Sequence, residues 1–212
     1  LQTVGADNPN LDLTQYCMTD DGSGNYHITM TIAGLTSLGP DPQAGGTTNI
    51  WQVQWHVPSS TDPVGGALFM AYAESVAGGA ATCWVGQASE INAEITYPGT
   101  TQLPANDCQV TLGTPGSISI TVPKSDVSEA NPIDNNLYAV VASTQTLAGP
   151  AETNPQGATG GLLPNLIDVA PAFDLRASPA SNVPEAPWVP ALAVLGGAAI
   201  VSGAIQRRRR RR

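Results

Sequence analysis

Four sets of residues in this chain have the types and spacing to do chemistry. Gln52, Gln54 and His56 stand two residues apart. On a strand that spacing puts them on one face, as a row of amide and imidazole groups able to hydrogen-bond a ligand. Trp84 and Tyr138 would add flat aromatic surfaces on which a sugar ring could stack. The plainer alternative is that Trp51, Trp55 and Trp84 are core residues and the glutamines face water. Asp7, Asn10 and Asp12 cluster oxygen donors near the start, and Asp168 could approach from near the end. Calcium takes six to eight such oxygens, although an Asx-rich turn has the same composition. His56 with Met70 or Met30 is the conceivable haem pair. Met30, however, alternates with Tyr26 and Ile28 and so points away from His27, and haem is not expected. The histidines read more simply as solvent-facing.

No catalytic machinery accompanies these sets. A hydrolase needs a nucleophile, a base and an acid that orients the base. None of the serines lies in a Gly-x-Ser-x-Gly elbow, and no Gly-Thr-Ser-Met nucleophile segment occurs. Asp20-Asp21 is followed by Gly22-Ser23-Gly24-Asn25, a turn in which solvated acids are ordinary. The expectation is a protein that is not an enzyme.

The fourth set is Cys17, Cys83 and Cys108. Their spacing fits no metal site. Cys83 and Cys108 both fall at strand-like positions in the middle of the domain, and this pair is expected to form a disulfide.

The elements that would hold these residues are strands. Tyr26, Ile28, Met30 and Ile32 alternate with His27, Thr29 and Thr31. Trp51, Val53, Trp55 and Val57 alternate with Gln52, Gln54 and His56. Ile118, Ile120 and Val122 alternate with Ser117, Ser119 and Thr121. Each is the period-two signature of a half-buried strand. Further strands are read at 11–14, 67–73, 80–86, 91–97, 108–112 and 137–144, with a loop at 98–107 and a strand or helical turn at 166–175. Short strands about every ten residues argue for an all-β, antiparallel sandwich of jelly-roll-like arrangement.

The last thirty residues are different. No charged residue occurs between Ala186 and Ile205, and six arginines, Arg207 to Arg212, follow Gln206. Trp188 to Ile205 is 18 residues, about 27 Å as a helix at ~1.5 Å per residue, close to a hydrocarbon core of ~30 Å. Trp188 sits where an interfacial aromatic is expected. Arg207, Arg208 and Arg209 open a cluster that would stay in the cytoplasm. The alternatives are a buried helix with a basic tail, or an added arginine tag. The organisation expected is an extracellular sandwich at 1–176, a Pro-rich linker at 177–187, a transmembrane helix at 188–206 and a cytoplasmic cluster at 207–212.

Charge agrees with that division. Outside the arginine cluster the only basic residues are Lys124 and Arg176, against 17 acidic ones, a net −15 over 1–185. Nucleic acid binding by counterion release is excluded for such a surface.

Val183-Pro184-Glu185, the single apolar span and the arginines resemble the C-terminal sorting tails of bacterial surface proteins, the PEP-CTERM type. The pattern departs at Ala186-Pro187, where that family has proline directly after the glutamate. The resemblance implies a cell-surface location, a membrane partner and a sorting peptidase. Leu11-Asp12-Leu13, Tyr26 to Leu35, Trp51 to Trp55, Ile118 to Pro123, Asn136-Leu137-Tyr138 and Ile167 to Pro171 together are similar in outline to DOMON and carbohydrate-binding-module sandwiches of secreted bacterial proteins. Some of those carry a subtilisin-like peptidase upstream. This resemblance implies display, spacing or binding, with a polysaccharide or a surface protein as partner. DOMON-like domains can bind haem through methionine and histidine, which is the source of the His56 and Met70 or Met30 pairing; haem is not expected here, and the residues themselves suggest no cofactor other than calcium.

Overall fold

The computed structural model describes residues 2–3, 8–40, 46–62, 65–91, 94–128, 132, 134–147, 149–151 and 165–176. The strands among them are β1 (Gln2–Thr3), β2 (Leu13–Asp20), β3 (Asn25–Ile32), β4 (Thr48–Val57), β5 (Ala67–Val76) and β6 (Thr82–Ile91). They continue with β7 (Glu94–Gln102), β8 (Cys108–Thr111), β9 (Gly116–Pro123), β10 (Leu137–Leu147), β11 (Asn165–Val169) and β12 (Phe173–Leu175). Trp188 and the arginines lie outside the described residues. Among the described residues no helix is long and apolar enough to cross a membrane.

Every pairing is antiparallel. The smaller sheet runs β2-β3-β9-β8. The larger runs β1-β11-β10-β4-β5-β6-β7, with β12 also beside β10. The chain therefore changes sheet between β1 and β2, β3 and β4, β7 and β8, and β9 and β10. Local alternation alone cannot give this order, because β1 with β11, β4 with β10 and β3 with β9 pair strands that are far apart along the chain.

The inner faces are the apolar faces expected from the alternation. Ile28, Met30 and Ile32 of β3 and Ile118, Ile120 and Val122 of β9 meet Trp51, Val53, Trp55 and Val57 of β4, with Ala71, Ala73, Val85, Val140 and Ala142 beside them. Full burial of one such large side chain is worth about 1.5–3 kcal/mol. Cys83 on β6 and Cys108 on β8 are joined by a disulfide, so a covalent bond ties the larger sheet to the smaller. Cys17 is free and exposed.

Three local readings differ from the structure. The strand read at 11–14 is β2, Leu13–Asp20. Pairing with β3 carries it on through Thr19 and Asp20, although its own sequence alternates poorly. The segment 98–102, read as a loop, belongs to β7 (Glu94–Gln102). Pro98 is tolerated there because β7 is the last strand of its sheet and needs hydrogen bonds on one side only. The stretch 166–175 is two strands, β11 and β12, rather than one element or a helical turn.

Candidate functional site

Two outer faces remain once the core is filled, one on each sheet. Gln52, Gln54 and His56 are on the outer face of the larger sheet, together with Tyr72, Glu74, Trp84, Ser143 and Gln145 from the neighbouring strands. The expected open shelf of glutamines is corrected here. Gln52 is only 1% exposed and Gln145 only 5%. The Gln52 amide donates to Ser143 Oγ at 2.9 Å, and the Gln145 amide donates to Gln52 Oε1 at 3.1 Å. These residues form a buried polar ladder that fixes β4 against β10.

Trp84 is committed as well. Its ring stacks on Tyr72, 6.4 Å between centroids and 9° between planes, and its indole N–H donates to Thr82. Glu74, not singled out from sequence, is buried in the same face, and its carboxylate accepts the Ala151 N–H at 3.1 Å. Gln54 and His56 lie further along β4 and are half-buried. Gln54 Oε1 and His56 Nδ1 are buried and meet no hydrogen-bond partner among the described residues. Such atoms are rare in folded proteins, since a lost partner costs about 1–3 kcal/mol. Tyr138, opposite His56 in register, turns its hydroxyl away to Asp134 at 2.7 Å. Asn136 also donates to that carboxylate. The Tyr138 hydrogen bond, then those from Asn136, hold the Asp134 carboxyl below the usual carboxylate range.

The oxygen cluster near the start is a joint between the sheets. Asp7 lies outside the described residues. Asn10 Oδ1 accepts the N–H groups of Thr36 and Ser37, and its carbonyl accepts the Trp51 indole N–H. Asp168 is buried on β11, where Oδ2 accepts the Leu13 N–H at 3.0 Å and Oδ1 accepts the Val169 N–H at 2.9 Å. Thr144 donates to the Leu11 carbonyl at 2.6 Å. Asp12 is half-buried beside this joint. Asn10 and Asp168 thus meet backbone donors. Among the described residues no three His, Cys, Asp or Glu side chains gather as a metal site would require.

The smaller sheet carries a groove that reasoning on single strands did not find. It has a volume of about 280 Å³ and is lined by His27 and Thr29 of β3, Ser119 and Thr121 of β9, Gln109 of β8, and Asn106 and Asp107 of the 3₁₀ turn Ala105–Asp107. The register makes it: Thr29 faces Ser119, Ser119 faces Gln109, and His27 faces Thr121. The outward positions of β3 and β9 were legible. Their adjacency, across about ninety residues of chain, was not.

Thr121, His27 and Asp21 are arranged in the order of a nucleophile, base and acid. Thr121 Oγ1 is 3.4 Å from His27 Nδ1, and His27 Nε2 is 3.5 Å from Asp21 Oδ2. Both distances are long for proton transfer. Asp21 is also already engaged by its own turn, accepting the Asn25 and Ser23 N–H groups at 2.9 and 2.7 Å and the Asn25 side-chain amide at 2.9 Å. Those bonds, the Asn25 N–H first, push its carboxyl well below the usual range. His27 and Thr121 line the groove, whereas Asp21 is outside its lining and held by its own turn.

A smaller cavity, about 130 Å³, lies beside Tyr26, Lys124, Asp134 and Asn136. The Lys124 ammonium pairs with Asp20 and sits over the Tyr26 ring, 5.0 Å from its centre.

No family model, curated protein or solved structure matches this chain.

Proposed function

We propose that this chain is a non-catalytic cell-surface module. Its sandwich, residues 1–176, is displayed outside the cell on the linker 177–187 and held by one apolar helix, 188–206, with arginines 207–212 inside. Jelly-roll-like connectivity, with repeated crossing between sheets, is part of this reading. The observation that carries it is the Cys83–Cys108 bond between the two sheets. Structural disulfides persist in oxidising compartments and are rare in reducing ones. The net charge of −15 outside the tail suits an exposed, soluble surface.

The test is the intact mass of unreduced protein recovered from its host envelope after thiol alkylation. One alkyl group, on Cys17, supports export, and three would sink it. The same spectrum reads the tail. Full-length mass means that the helix stays as the anchor, and loss of mass from Pro184 or Ala186 onward means that a sorting peptidase removes it.

A second reading, a carbohydrate-binding module, is supported by the groove on the smaller sheet, lined by hydroxyl and amide groups with Asp107 as its carboxylate.

A further inference from the structure

We propose that the groove on the smaller sheet is the binding site for a neutral glycan chain. This rests on the reading of the sandwich as an exported binding module, and it gives that module a site and a ligand class. The lining decides the chemistry. Thr29, Ser119 and Thr121 present hydroxyls, and Asn106 and Gln109 present amides. A hydroxyl both donates and accepts, and an amide does each with a different atom. Such a surface matches a ligand whose own groups are hydroxyls in every orientation.

The outward rows of this sheet extend the pattern beyond the groove. Gln15, Thr31, Ser117 and Thr111 form one row by register, and Cys17, Thr29, Ser119 and Gln109 the next. No charged residue stands in either row, in a chain with 17 acidic residues. Among the described residues, Asp107 and His27 are the only ionisable groups lining the groove. A phosphate or an acidic glycan would meet no lysine or arginine there and would approach a domain of strongly negative charge. A neutral glycan is not repelled. A volume of about 280 Å³ lies just under the ~300–1,000 Å³ of small-molecule sites, enough for one or two sugar rings of a longer chain. The flat rows on either side leave room for the chain to continue. Among the described residues no Phe, Tyr or Trp lines the groove, so each contact is weak, and useful affinity comes from repetition along a polymer.

The experiment titrates the full chain in detergent with neutral oligosaccharides of glucose, xylose, mannose and N-acetylglucosamine, and with oligogalacturonate as the acidic control. Binding is followed by backbone amide NMR. Expected is saturable binding of at least one neutral oligomer, with shifts at His27, Thr29, Gln109, Ser119 and Thr121, and at least tenfold weaker binding in S119V/T121V. Valine keeps the shape and strand propensity of these half-exposed positions, and an unchanged spectrum elsewhere shows that the variant is folded. Shifts at Gln54 and His56 instead would overturn the groove assignment while leaving a glycan-binding module. No binding by any neutral oligomer, or equal binding of oligogalacturonate, would overturn the proposal outright. Neither result touches the export reading, which the alkylation count decides.

Discussion

Asp168 shows what a single side chain can do in this molecule. It is 1% exposed and lies on the larger sheet, yet it accepts the N–H of Leu13 at the start of a strand in the smaller one. Replacing it by alanine leaves that buried N–H without a partner. Asp168→Ala is therefore expected to cost about 1–3 kcal/mol, read as a lower denaturant midpoint, and no loss would show that the joint is unimportant. Sequence grouped Asp168 with Asn10 and Asp12 as oxygen donors, for calcium or for an Asx-rich turn. The donors it meets are backbone groups, which leave no mark on residue type. Asp21 and Asp134 make a different case. Both carboxyls are lowered by hydrogen bonds to the ionised form. A carboxyl that is lower when folded stabilises the fold above its unfolded value, near 3.9, and that contribution is lost as pH falls through the lowered values. An NMR pH titration should show both groups more than half ionised at pH 3.9. Half-protonation of either at that pH would contradict the hydrogen bonds described.

At the scale of the element, alternation was enough to identify β3, β4, β9 and the middle of β10. It failed where pairing decided. Most of β2 exists because β3 offers a partner along its length, and β7 runs through Pro98 because it is an edge. The groove failed to appear for the same reason: each lining residue lies on a legible strand, and only the register brings them together. The Gln52 row was legible as a row, whereas its burial depended on Ser143 and Gln145, ninety residues on. Gly86 tests how closely these strands fit. Its φ is +156°, and a Cβ there would lie 2.1 Å from the Gly99 carbonyl oxygen on the paired strand β7. Gly86→Ala should force β6 and β7 apart at a cost of about 1–3 kcal/mol, the usual range for overpacking. A wild-type unfolding curve for this variant would mean that the edge strand gives way freely.

At the scale of the whole molecule, the Cys83–Cys108 bond spans 25 residues and joins the two layers. Closing a loop of that length removes entropy from the unfolded chain worth about 3–4 kcal/mol. The double variant Cys83→Ala/Cys108→Ala should melt at a lower temperature by a matching amount, and reduction of the wild type should do the same. Equal melting of oxidised and reduced protein would show that the layers hold by packing alone. The sandwich class was readable because turns and strands recur about every ten residues. The order of strands was not readable, since β3 with β9, β4 with β10 and β1 with β11 pair distant segments that share no local signal.

The scarcity of basic residues has a consequence for how such a molecule survives among proteases. Up to the arginine cluster, an enzyme that cuts after lysine or arginine finds two sites, Lys124 and Arg176. The first is held by Asp20 over the Tyr26 ring at the start of a 3₁₀ turn. The second is exposed, one residue past the final strand. Digestion of that specificity before the cluster would therefore begin at Arg176, and it would leave residues 1–176 whole, with the inter-sheet bond closed and both outer faces intact.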